Sequence, residues 1–175
     1  MSTRPPRGTG ITWEANWMIR EATAEDRGAI QRLYEELCPG EPVEVRSGRL
    51  AEIAGDSHNH LYVAERDGVV VGTAFVTLCL DPMFGHQPYA VLENIIIARG
   101  HRGQGLGSSL LRHVEAMCAA RDCSKIMLLS NARRPHAHAF FKRMGYSGAV
   151  ATAFKKYLGG HHASEVEEGD RRPGV

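Results

Sequence analysis

Residues 91–111 read VLENIIIARGHRGQGLGSSLL, and few folds can use such a stretch. The apolar run at 91–97 predicts a buried strand. It stops at a turn that opens into Arg102, Gly103, Gln104, Gly105, Leu106, Gly107 and Ser108, where an amphipathic helix begins. Glycines at alternate positions remove Cβ atoms where backbone N–H groups must close on something bulky. The helix start adds unpaired N–H donors and the positive end of a dipole. Together they predict an anion cradle suited to a pyrophosphate. Two other phosphate motifs fail here. A P-loop needs a Lys directly after its glycines, and none follows. A dinucleotide-binding unit wants an acidic residue at the end of the next strand, about 20 residues on. The next strand-like run, 125–129, ends in Ser130 and Asn131.

The rest of the chain falls into short alternating elements. Residues 1–16 are rich in Pro, Gly and Arg without periodicity and read as disordered. Residues 18–22 read as a first strand, and Met18 is a candidate start. Thr23 and Asp26 form a helix-opening box, after which Ile30, Leu33, Tyr34 and Leu37 recur at helical spacing. Pro39 and Gly40 end that helix, and a shorter one covers 46–54. Two β-rich runs, 61–66 and 69–80, are joined by Asp67-Gly68, a hairpin signal. Residues 81–88 are a loop and 89–97 the strand before the glycine turn. The next helix carries Leu110, Leu111, Val114, Met117 and Cys118 on one face. A short strand at 125–129, a helix at 135–144 and a last strand at 149–158 follow. Residues 159–175 are polar and read as a disordered tail. The order is β-α-α-β-β-β-α-β-α-β.

That order and the R-x-x-G-x-G pattern after a strand resemble the acyl-CoA signature of the GNAT acetyltransferase superfamily, over residues 17–158. The resemblance implies an α/β (α+β) fold, with a mixed, mostly antiparallel sheet flanked by helices on both faces. It implies that acetyl-CoA is the co-substrate and an amine the acceptor. The backbone of Ile95, Ile96 and Ile97 would bind the pantetheine arm as a borrowed strand. Arg102, Gly103, Gln104, Gly105, Leu106, Gly107 and Ser108 would hold the pyrophosphate, with Arg99 and His101 as further charge. Residues 131–146, NARRPHAHAFFKRMGY, are similar to a second family segment. There Asn131 would reach the pantetheine arm, and Phe140 and Phe141 would sit beside the thioester.

Phe141 departs from the family, which usually has Tyr there to protonate the leaving thiolate. Tyr146 and His138 are the nearest polar substitutes in sequence; the thiolate leaving unprotonated is another route. Glu93 is the candidate general base, since an attacking amine starts as an ammonium and must lose a proton. A carboxylate among Val91, Leu92 and three isoleucines needs a reason, and partial burial would suit it to that task. Acceptor contacts are expected from segment 38–45, with Glu41 and Glu44, and from loop 81–88.

Charge supports this division of labour. Residues 1–98 carry 8 Lys and Arg against 14 Asp and Glu, whereas 99–143 carry 9 against 2. The basic block begins at the glycine loop, and the acidic half is left for a cationic acceptor. The formal net charge is only +1, which suggests neither a nucleic-acid nor a membrane partner. Four cysteines without C-x-x-C pairing read as free thiols of a reducing compartment. No His pair has metal-site spacing, so no metal is expected. Without an apolar leader or an 18-residue apolar run, a cytoplasmic location follows, and a homodimer stays open. The expected function is direct acetyl transfer from acetyl-CoA to a primary amine in a ternary complex, a small-molecule acceptor being favoured. The alternatives are a non-catalytic acyl-CoA-binding module, motivated by Phe141, and a protein-directed acetyltransferase.

Overall fold

A computed structural model of the chain describes residues 17–156 and 158. The two terminal segments expected to be disordered lie outside the described residues. Strand β1 (Trp17–Glu21) is followed by a 3-10 turn (Ala24–Asp26), then α1 (Arg27–Leu37) and α2 (Ser47–Ala54). Next come β2 (Asn59–Arg66), β3 (Val69–Cys79) and β4 (Tyr89–Ile97). Helix α3 (Leu106–Ala120), β5 (Ile126–Leu128) and α4 (Pro135–Arg143) complete the order. The chain divides after Leu129 into two units, the second beginning at Ser130.

In the first unit the sheet order is β1-β2-β3-β4-β5. The first four strands are antiparallel, and β5 runs parallel to β4 because α3 carries the chain back between them. Pleating sends alternate side chains to opposite faces. Leu61 and Val63 of β2 therefore pack with Ile30 of α1 and Leu50 of α2. Ala64 joins Val71 and Leu106, at the start of α3, on the other face. Asp67 and Gly68 both take positive φ, 50° and 78°, in the β2–β3 turn, as the Asp-Gly pair predicts.

Two charged side chains lock α1 to the sheet. Asp26, 8% exposed, receives both Nη1 and Nη2 of Arg20 at 2.8 Å, and the Thr23 N–H at 2.7 Å. Arg20 Nε reaches Glu65 Oε2 at 2.9 Å, tying β1 to β2. The Arg20 hydrogen bonds hold the Asp26 carboxyl below the usual carboxylate range, against the opposing effect of burial.

The sequence expectation fails at one element. Residues 149–158 are not a strand: 151–156 and 158 carry no regular structure, and Val150, Phe154 and Leu158 are 80%, 91% and 93% exposed. β-rich composition makes a strand only where a partner supplies hydrogen bonds and apolar cover, and none of the described strands pairs with this segment.

Asp26→Asn should cost about 2 kcal/mol, the range for losing a buried charge-assisted hydrogen bond, read as a fall in melting temperature. Because the folded carboxyl titrates below its unfolded value, its stabilisation is present above about pH 4. It should fade as the pH falls through the lower folded value, and the acid limb of the wild-type stability curve should flatten in Asp26→Asn.

Candidate active site

The site is built on β4. This strand pairs with β3 along most of its length, but with β5 only at Ala90, Val91 and Leu92. From Glu93 to Ile97 its second edge has no strand beside it among the described residues. A β-bulge marks the change. Phe75 pairs with Glu93 and Thr73 with Ile96, so β4 carries one residue more than β3 between these pairs. Asn94 absorbs it with φ 51°, a left-handed conformation that Asn tolerates better than most residues.

Beside the bulge lies Tyr34 of α1. Its hydroxyl faces the side chains of Thr73 and Asn94, and burial pushes its ionisation up to about 12. Beyond the bulge, Ile96 is buried and Ile97 lies over Gly72. A Cβ on Gly72 would fall 2.3 Å from Ile97 Cδ1 and 3.0 Å from the Ile96 carbonyl, so only glycine lets the two strands approach here.

Glu93 pairs with Phe75 and so shares the α1–α2 face. It is exposed. The partial burial expected from its apolar neighbours is absent: Leu92, on the opposite face of β4, is buried, whereas Glu93 is left uncovered on its own face. No cation among the described residues pairs with it.

After β4 a 3-10 turn (Arg99–His101) leads into the glycine loop. Gly103 and Gly105 take φ of 74° and 86°, and Gly105 is the N-cap of α3. Gly107 and Ser108 form the first turn of the helix, which holds no acidic residue. The Arg102 N–H donates to the Arg99 carbonyl at 3.3 Å, and the next backbone N–H that donates to a backbone carbonyl is that of Ser109, to Gly105 at 3.0 Å. The amides between these two, at the positive end of the α3 dipole, are available to an anion. The side chains of the loop do other work. Leu106 is core. Gln104 Oε1 accepts from Arg66, and its Nε2 donates to the Gly100 carbonyl at 3.3 Å. Arg102 Nε donates to the Ile97 carbonyl at 2.7 Å, and its Nη2 is ion-paired to Glu36 of α1. The Arg102 guanidinium, expected on the phosphates, is therefore bound to the protein.

The segment between α1 and α2 is held by a residue that sequence reading missed. Gln31 Oε1 accepts from Val45 N–H at 2.7 Å, and Gln31 Nε2 donates to the Val43 carbonyl at 2.9 Å. One side-chain amide so imitates a strand partner. Glu44, expected to meet the acceptor, is paired with Arg46 at 2.8 Å on the surface, and that hydrogen bond lowers its ionisation. Six acids of the first half, Asp26, Glu36, Glu44, Glu52, Glu65 and Asp67, are engaged with arginines, so only part of its acidity is left to face an acceptor.

The second unit carries the other expected residues. Asn131 Oδ1 accepts from Arg133 N–H at 2.8 Å. His138 Nε2 lies 2.9 Å from the Asn131 carbonyl and must donate to it. On α4 the Phe140 and Phe141 rings meet edge-on at 5.3 Å, and Tyr146 lies edge-on to Phe141 at 6.0 Å. The Tyr146 N–H bonds to the Phe141 carbonyl at 3.0 Å, which folds the ring back.

The chain matches the acetyltransferase (GNAT) family over residues 28–146. It belongs to that family. It is 30% identical over 131 residues to the aminoalkylphosphonate N-acetyltransferase of Salmonella typhimurium, covering 73% of this chain and 83% of that one. It is 35% identical over 138 residues to an amino-acid acetyltransferase of Ralstonia nicotianae, covering 78% of this chain but only 28% of that much longer protein. Among solved structures, a candidate acetyltransferase from Agrobacterium tumefaciens superposes with a TM-score of 0.74 at 26% identity, covering 80% of this chain and 99% of that one. The GNAT fold and an acetyl-CoA-dependent N-acetyltransferase activity go with this membership. No helix among the described residues is long and apolar enough to cross a membrane.

Gly105→Ala tests the cradle. The added methyl would sit 3.6 Å from Trp17, an ordinary contact, so the effect comes from backbone strain of about 1–2 kcal/mol. Acetyl-CoA affinity measured by calorimetry should fall about tenfold or more, with the circular dichroism spectrum retained. Unchanged affinity would show that these amides do not hold the phosphates.

Proposed function

We propose that this protein transfers the acetyl group of acetyl-CoA directly to the primary amine of a small molecule. The observation that carries the reading is the free edge of β4 running into a glycine loop with unpaired amides. That arrangement suits an extended amide-bearing arm followed by a pyrophosphate. In this reading Ile95, Ile96 and Ile97 offer backbone groups to the arm. Residues 103–108 offer N–H groups to the phosphates, and Asn131, Phe140 and Phe141, in the second unit, keep the roles that the family resemblance implies.

Acetyl-CoA supplies an activated carbonyl carbon. Glu93, exposed on the face that α1 and α2 share, accepts a proton from the acceptor ammonium, directly or through a water. The freed amine attacks the carbonyl, its nitrogen loses a second proton to solvent, the C–S bond breaks, and the sulfur takes a proton. For that last step Tyr146 is favoured over His138. The Tyr146 ring packs on Phe141, so a phenol stands beside the position where the family usually has one. His138 already commits its Nε2 proton to the Asn131 carbonyl.

Direct transfer is preferred to an acyl-cysteine intermediate. Burial pushes the Cys118 thiol up to about 12 and raises Cys123 as well, so neither offers a ready thiolate. The small-molecule acceptor is supported by the Salmonella and Ralstonia relatives, whose names specify small amines.

A thiol-release assay against a panel of aminoalkylphosphonates, amino acids, polyamines and aminoglycosides tests the proposal, with acetylated products identified by mass. Binding of acetyl-CoA without thiol release from any amine or from lysine and N-terminal peptides would favour a non-catalytic binding module. With an acceptor in hand, Glu93→Gln should lower kcat by about 10²–10⁴-fold with little change in acetyl-CoA affinity. Tyr146→Phe should cost at least about tenfold in turnover, and His138→Ala little. A kcat indifferent to Glu93→Gln would remove the base assignment.

A further inference from the structure

Glu36 lies outside every motif the sequence brings to notice, yet the turn between β4 and the glycine loop converges on it. It sits near the end of α1 and is 25% exposed. One carboxylate oxygen takes Arg102 Nη2 and lies 3.8 Å from Arg99 Nε. The other lies 3.5 Å from the Arg99 backbone N–H. Arg102 in turn donates its Nε to the Ile97 carbonyl, at the end of β4. A single fork of guanidinium N–H groups thus joins α1, the last residue of β4 and the start of the glycine loop.

We infer that Glu36 is a positioning residue for cofactor binding. It holds Arg102 as a strut against the Ile97 carbonyl, so that the loop amides are pre-set for the pyrophosphate and Arg102 is not itself a phosphate ligand. The inference rests on the proposed cofactor site and deepens it. A loop with two glycines at positive φ has much conformational freedom to lose on ordering. A site made of backbone amides binds well only if that ordering precedes the ligand. A carboxylate near a pyrophosphate would repel it unless neutralised, and here two arginines flank the carboxylate. Lysine could not replace Arg102, because one ammonium lacks the planar fork that serves two acceptors.

A double-mutant cycle decides. Glu36→Ala and Arg102→Ala should each weaken acetyl-CoA binding about three- to tenfold, the scale of a partly exposed charge-assisted pair. The double variant should be no weaker than the worse single one, and Arg102→Lys should not restore affinity. The KM for acetyl-CoA should rise with kcat nearly unchanged, and melting temperatures should stay within a few degrees. In the free proteins, amide hydrogen exchange over residues 99–108 should speed up in both single variants, a readout that does not need the cofactor. Tighter or unchanged binding in Glu36→Ala, beside a loss well above tenfold in Arg102→Ala, would make Arg102 a direct phosphate ligand and overturn the inference. So would unchanged exchange in the loop of Glu36→Ala. Failure of the wild-type protein to bind acetyl-CoA would instead sink the cofactor reading, with the exchange result still deciding the strut.

Discussion

Among the described residues, strand β4 has two neighbours for three residues and one neighbour thereafter, and the proposed site depends on that asymmetry. Buried backbone groups must be paired, so a strand whose second edge is bare has to leave that edge to water or to a ligand. The bulge at Asn94 lies where the pairing with β5 has ended, and bulges bend a strand and raise its twist. The same irregularity shifts the alternation, so that Leu92, opposite Val76, and Ile96, opposite Thr73, are buried on opposite faces of the sheet, with Glu93 and Asn94 exposed between them. A regular β4 flanked on both sides would have its hydrogen bonds satisfied and no room for an extended substrate arm.

Helix α1 is the template that keeps this irregular strand in place. Tyr34 meets the bulge, Gln31 fastens the segment leading to α2, and Glu36 fastens the turn after β4. At the other end of the helix, Asp26 is clamped by Arg20 of β1. These are polar contacts over long sequence separations, and they act on backbone that has no regular partner of its own. Apolar packing of Ile30 and Leu33 fixes where α1 lies, but it is non-directional. The directional bonds decide the conformation of the loops beside it.

This explains what could be read in advance. The strand, glycine turn and helix at 91–111 were legible because glycine spacing, strand run and helix onset are all local. The Asp67-Gly68 hairpin was legible for the same reason. The bulge was not: a register shift is a property of two strands, and Asn94 by itself looks like any polar residue in a run of isoleucines. Nor was the exposure of Glu93 legible, because alternation tells which residues share its face, not whether a helix covers it. Gln31 and Glu36 left no signal, each being an ordinary polar position on an amphipathic helix. Segment 149–158 shows the converse error, since its composition suits a strand while the described residues provide no partner.

The charge pattern changes meaning once the chain is folded. Along the sequence, acids dominate up to Ala98 and bases from Arg99 on, which suggested a basic cofactor end and an acidic acceptor end. In space the fold brings an acid from α1 onto Arg99 and Arg102, and Gln104 of the loop onto Arg66. Arg121, at the far end of α3, is turned to the Ser57 carbonyl and His60 rather than to the loop. In the proposed site the attraction for an anion comes from aligned N–H groups and the α3 dipole, with one carboxylate offsetting one of the two arginines. Such a cradle would add a directed field to a modest positive charge. That distinction favours a phosphate seated in one orientation over any anion that merely drifts near a basic surface.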